Sequence, residues 1–176
     1  MKKILLPLLV VASVSMGWLS RGTTLDPALL SRAKQEYKQQ RNRLANKRYV
    51  TILDYRKSIL QERLYVYDLQ QKKVILSSRV SHAFRSGLLY PTKFSNVDGS
   101  EQSCTGDFIT AEAYQGKWGY AMRIDGISST NTNARARAVV FHPGYAYSAA
   151  CYMTAPEVNK RLINLIKGKS LVVVYK

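Results

Sequence analysis

From Tyr49 onward the sequence is cut into short apolar runs by turn residues, and this pattern constrains the fold more than any other feature. Runs of that length are too short for packed helices and fit β-strands. Tyr49–Asp54, the alternating Arg63–Leu69, and Val74–Val80 are three such runs, the last two joined by the polar turn Gln70–Lys73. Gly106–Tyr114 and Gly119–Asp125 flank the turn Gln115–Lys117 and predict a hairpin. Ala138–Phe141 reads as a short buried strand and Leu171–Tyr175 as the last one. Between these two, Thr154-Ala-Pro-Glu157 has the pattern of a capping box. Val158, Leu162, Ile163 and Ile166 supply an apolar helix face, and Gly168 stops it. The expected class is therefore mainly β, in the α+β sense, with a C-terminal helix.

Upstream the pattern is helical. Asp26-Pro27 combines a side-chain cap with a proline where no amide donor is needed. Leu30, Ala33, Tyr37 and Leu44 then recur at roughly helical spacing. The remaining surface of this N-terminal helix is basic: Arg32, Lys34, Lys38, Arg41, Arg43, Lys47 and Arg48 stand against Glu36. Earlier still, Lys2 and Lys3 precede the apolar stretch Ile4–Val14, with small residues at Ser13, Ser15 and Gly17. That order predicts a bacterial export signal, or an uncleaved membrane anchor as the alternative. The expected divisions are residues 1–20 as signal or anchor, 21–48 as a basic helical linker, and 49–176 as a single catalytic-type domain. The net charge of +16 favours anionic partners. Export to the periplasm or cell envelope would remove nucleic acid from that set, leaving an anionic envelope surface as a partner for residues 32–48. Oligomeric state stays open.

The chemistry-bearing residues are few. The chain has two histidines and two cysteines, and His142 ends an apolar run with Cys151 following in a short loop. A histidine within reach of a thiol can raise its thiolate fraction and create a nucleophile. The competing expectation is a Cys104–Cys151 disulfide, since an oxidising compartment would favour one. Arg135 and Arg137 lie on the approach to His142; if the strand alternates that far, they share one face and His142 takes the other. Either arginine would suit a carboxylate-bearing substrate. No metal-ligand spacing and no glycine-rich phosphate loop occurs, so neither a metal nor a cofactor is expected. The long stretch Ser86–Cys104 lacks periodicity and predicts a loop.

Several segments, in order, resemble the L,D-transpeptidase (YkuD-like) catalytic domain in its murein L,D-transpeptidase subgroup. Arg63–Leu69 with Lys73–Leu76 is similar to that family's early hairpin. Ser81–Gly87, Phe94–Asn96 and Gly99-Ser100 resemble the loop before its central hairpin, and Gly106–Phe108 with Tyr114–Gly119 the hairpin itself. Asn133–His142 resembles the strand leading to the family's catalytic histidine, and Pro156–Lys160 with Ile166–Ser170 its closing helix and turn.

The resemblance implies a β-sandwich or barrel and a cysteine acyltransferase acting on peptidoglycan stem peptides. Cys151 would be the nucleophile and His142 the base. Backbone amides at Cys151 and Tyr152 would receive the oxyanion. Ser148 would stand for the family serine before the cysteine, and His82 would lie at the pocket wall. The family places arginine and then glycine before its cysteine, where this chain has Ala149 and Ala150, and a small residue or proline after it, where this chain has Tyr152. Alanine adopts glycine's left-handed conformations only with strain. Two expectations therefore stand side by side: an exported L,D-transpeptidase or L,D-carboxypeptidase, and a weakened or inactive relative that binds peptidoglycan.

Overall fold

The computed structural model describes residues 24–176. The expected export segment, residues 1–20, lies outside them. The elements run α1 (Pro27–Gln40), β1 (Tyr49–Asp54), β2 (Leu64–Asp68), β3 (Lys73–Ser78), β4 (Gly106–Gly116), β5 (Gly119–Gly126), β6 (Val140–Pro143), β7 (Tyr152–Thr154), α2 (Pro156–Ile166) and β8 (Leu171–Tyr175). The strands form one eight-stranded sheet in the order β3-β2-β1-β8-β4-β5-β6-β7. It curls until its edges approach. Ser81, just past β3, gives its amide to the Met153 carbonyl of β7 (2.9 Å), and its hydroxyl accepts from the Met153 amide (2.8 Å). The result is mostly sheet, nearly closed as a barrel, with two helices.

β8 explains how the barrel is dressed. It lies between β1, to which it is parallel, and β4, to which it is antiparallel. All five of its residues are buried, so its apolar run is continuous rather than alternating. Alternation reappears in where the side chains go. Val172 and Val174 enter the barrel core with Leu53, Phe108, Phe141 and Tyr152. Leu171, Val173 and Tyr175 point outward and join Val50, Ile52 and Ile109. Water would meet that outer face but for α1, whose Leu29 and Ala33 lie on it. The basic helix is thus packed on the sheet by its apolar stripe. It is shorter than the spacing predicts: regular helix ends at Gln40, a single 3-10 turn follows at Arg41–Arg43, and Leu44 returns to extended backbone.

α2 closes the other end of the core with Leu162, Ile163 and Ile166. The predicted capping box does not form. Ala155 is the N-cap and makes no side-chain bond, while Thr154 belongs to β7, its hydroxyl buried without a partner. Pro156 still opens the helix, because its missing amide proton costs nothing there.

Two strand assignments shift. β6 begins at Val140 rather than Ala138, and β7 was not foreseen. The segment before β6 is a chain of turns: the Ala134 amide bonds the Asn131 carbonyl, Arg137 bonds Asn133, and Ala138 bonds Arg135. It stays tight because Gly126 has no side chain; a Cβ there would lie 1.8 Å from the Asn131 carbonyl oxygen. The turns end in Ala138, which holds a left-handed φ of 52°.

Candidate active site

β6 and β7 are parallel neighbours, with Phe141 opposite Tyr152 and His142 opposite Met153. Phe141 and Tyr152 fill the barrel core. Because side chains alternate along a strand, His142 and Cys151 both project to the opposite face. Strand spacing and a two-residue offset put their Cα atoms about 8 Å apart. A short loop between two parallel strands is unusual, since such pairs normally need a long crossover. Here β6 and β7 are so short that eight residues, 144–151, suffice.

His142 is nearly buried. Its Nδ1 donates to the Pro143 carbonyl at 2.9 Å. A carbonyl can only accept, so Nδ1 carries the proton and Nε2 keeps its lone pair. Burial holds the imidazole below its ordinary value, with the Pro143 carbonyl working weakly against that. At neutral pH the ring is therefore an uncharged acceptor. Trp118, on the β4–β5 turn, stacks over it with centroids 6.3 Å apart.

The Cys151 thiol is partly exposed and donates to the Ala138 carbonyl at 3.6 Å. Burial raises its pKa; the Val140 backbone and the Arg137 charge pull the other way and do not prevail. No hydrogen bond among the described residues joins thiol to imidazole. Both cysteines are free, so the expected Cys104–Cys151 bridge is not formed. Cys104 is fully buried, and its carbonyl accepts from the Tyr152 hydroxyl at 2.8 Å.

The residues around Cys151 hold the loop. Ser148 and Ser81 both donate to the Cys151 carbonyl, at 2.6 and 3.3 Å. Ser148 also takes the Phe84 amide on its carbonyl. Ala150 is absent from the residues with positive φ. The strain expected there is instead at Ala138, whose carbonyl faces the thiol. Tyr152 turns its ring into the core, so only its backbone can serve the site.

Arg137 bonds the carbonyls of Ser95 and Gln102, both at 2.7 Å, and the Ser100 hydroxyl at 3.2 Å. It ties the long loop down beside both thiols. Arg135 goes elsewhere, to Asp125 and Glu112 on the β4–β5 surface. The alternation expected for the two arginines fails because both sit in turns.

His82 is fully buried and saturated. Arg63 donates to its Nδ1 at 2.8 Å, and its Nε2 donates to the Gly87 carbonyl at 2.8 Å. It therefore stands behind the pocket rather than on its wall, meeting Tyr147 of the histidine-to-cysteine loop edge-on at 5.4 Å. Arg63 itself has no exposure and bonds the Val80 and Lys57 carbonyls, with the Tyr55 ring 4.7 Å from its guanidinium carbon. Four contributors were missed in the sequence: Ala138, Ser81, Arg63 and Trp118. Trp118 had a signal, its place in the Gly-Lys-Trp-Gly turn; the others had none.

A groove of about 760 Å³ runs along the outer side of the loop, lined by Gly144–Tyr147, Met153 and Ser77–Ser81. Neither His142 nor Cys151 lines it. Among the described residues no cluster of histidine, cysteine or carboxylate could hold a metal ion.

Comparison with known proteins agrees with this architecture. Residues 21–149 match the family model of the L,D-transpeptidase catalytic domain, YkuD_2. The match includes His142 and stops two residues short of Cys151. No curated protein matches the sequence. Among solved structures, the helical cell shape determining protein Pgp2 from Campylobacter jejuni superposes with a TM-score of 0.52 at 9% identity, over 73% of this chain and 47% of that one. An L,D-transpeptidase from Stackebrandtia nassauensis gives 0.49 at 13% identity, over 76% and 58%. L,D-transpeptidase 1 of Mycobacterium tuberculosis gives 0.45 at 11%, over 73% and 62%. The chain thus spans roughly half to three-fifths of the length of these proteins. With the family model covering well over half of its 176 residues, and the fold shared with Pgp2, the chain belongs to the L,D-transpeptidase catalytic-domain family.

Proposed function

We propose that the protein is an exported L,D-transpeptidase or L,D-carboxypeptidase that acts on peptidoglycan stem tetrapeptides through a Cys151 thioester. The observation that carries this is the β6–β7 pairing. It sets His142, with Nε2 unprotonated, on the strand beside β7, which Cys151 immediately precedes. Rotation of the Cys151 side chain away from the Ala138 carbonyl would turn Sγ toward the imidazole. Nε2 then takes the thiol proton as Sγ bonds to the stem-peptide carbonyl. The C–N bond to the terminal D-alanine breaks, and the imidazolium returns the proton to the leaving amine. An amine or water attacks the thioester and gives its proton to Nε2, the C–S bond breaks, and the imidazolium returns that proton to the departing thiolate. Amides of Cys151 and Tyr152 are the natural oxyanion donors.

One observation favours a second reading, a weakened or inactive relative that binds peptidoglycan. The resting thiol is hydrogen-bonded away from the imidazole, and burial keeps it protonated. Muropeptide analysis separates the two. Wild-type protein is expected to remove the terminal D-alanine or form new cross-links. Cys151→Ala should abolish this, and His142→Gln should lower it by about a hundredfold to ten-thousandfold. If the wild type releases nothing while Cys151→Ala still binds muropeptides, the second reading replaces the first.

A further inference from the structure

The fold collects positive charge from three separate parts of the sequence at one end of the sheet. Arg41, Arg43 and Lys47 come from the link between α1 and β1. The β2–β3 turn and the start of β3 add Lys72 and Lys73, and the α2–β8 turn adds Lys167 and Lys169. The strand register brings these turns together, since Tyr49 pairs with Asp68, Asp68 with Lys73, and Val50 with Leu171. Backbone bonds then fix them to one another. The Asn46 amide donates to the Gly168 carbonyl at 2.8 Å, its side chain to the Lys167 carbonyl at 3.1 Å, and the Leu69 amide to the Arg48 carbonyl at 2.9 Å.

All seven side chains are exposed, and none is ion-paired among the described residues. Asp68, the acid at this end, is buried and occupied by Arg48 at 2.9 Å. The remaining cations of the 32–48 stretch are partly spent on the sheet. Arg32 lies over the Tyr175 ring and Lys34 over Tyr67. The exposed, unpaired cations are therefore concentrated on three turns rather than on the helix.

We infer that this end binds a flexible, linear polyanion. Four adjacent strands, β3 to β8, spread the cations over about 14 Å. That spacing, with no enclosed pocket among them, suits successive charges of one polymer better than a single small anion. It also suits a polymer in solution better than a bilayer. Large exposed apolar side chains such as Leu60, Leu88, Leu89 and Tyr90 gather at the far end, where the Ile59 amide bonds the Leu89 carbonyl. Within the three basic turns themselves and the strand starts beside them, Val74 is the one large exposed apolar side chain among the described residues. This inference is independent of whether Cys151 is catalytic.

The test uses full-length protein and long-chain polyphosphate, with binding measured against salt concentration. Lys72→Gln/Lys167→Gln/Lys169→Gln should weaken binding by about tenfold and reduce the log–log salt slope by about 2. A charge-matched control, Lys93→Gln/Lys160→Gln/Lys176→Gln, should bind like the wild type. Equal loss in both triples would mean that net charge alone is at work, and would overturn the composite surface. Binding to vesicles of anionic phospholipid without binding to polyphosphate would also overturn it, as would no binding to either.

Discussion

At the scale of single residues, the candidate site holds two groups that are neutral at rest. Burial lowers the His142 pKa and raises that of Cys151, so both shifts oppose a resting thiolate–imidazolium pair. The sign gives a prediction. Iodoacetamide alkylation of Cys151 should be slower at pH 7 than that of a free cysteine, and should keep climbing above the ordinary thiol range near 8.5. A rate plateau below pH 7 would instead show a preformed pair. That His142 and Cys151 come near one another was legible from their order along the chain, and the β6–β7 pairing beside them accounts for it. Ala138 was not, because nothing in an alanine's identity announces a left-handed φ; that follows from a turn chain whose start is set by Gly126 and whose end is set by β6. His82 was legible as a residue near the site and misplaced on its wall. Its partner, Arg63, is 19 positions away, and the β2–β3 pairing brings the two together.

At the scale of elements, α1 is read correctly as a capped amphipathic helix, while its partner face is a tertiary fact. Asp107, on β4, lies on that face beside Glu36 and Arg32 of α1 and near Tyr175 of β8. Burial, then the Glu36 charge, raises its pKa to about 7, with Arg32 opposing. In the unfolded chain the same carboxyl ionises near 4. The unfolded state therefore holds fewer protons between about pH 4 and 7, and stability falls as pH rises through that window. Asp107→Asn should remove this slope. Calorimetry should find its Tm above the wild type at pH 8 and close to it at pH 4; equal values at both would show that the carboxyl is not buried against α1. The strands were mostly legible because their apolar runs are bounded by turn residues. β7 was not, since three residues followed by a helix start read as a cap. Its strand character comes from pairing with β6 rather than from its own composition.

At the scale of the whole molecule, a mainly β fold with two helices follows from the sequence pattern, but closure does not. No local signal says that Ser81 will reach Met153. That contact is where the two sheet edges meet, and scattered backbone bonds at Ser81–Met153, Phe84–Ser148 and Ser148–His82, with the Ser81 hydroxyl, make it instead of a regular ladder. Hydrogen exchange should report the difference. Amides of Tyr152–Thr154 should open by local fluctuation well before those of Val172–Val174, which have a paired strand on both sides. Equal protection would mean the edges are zipped.

The near-closure also bears on how copies of this protein avoid one another. An open β7 would offer a free strand edge to any extended chain, the usual route to sheet-to-sheet aggregation. The Ser81 segment shields that edge without completing the barrel. The same few bonds that leave Cys151 beside a loosely stitched line thus keep that line from recruiting a second molecule. A Ser81→Ala protein, lacking the hydroxyl at this junction, should self-associate more readily than the wild type, as light scattering would read.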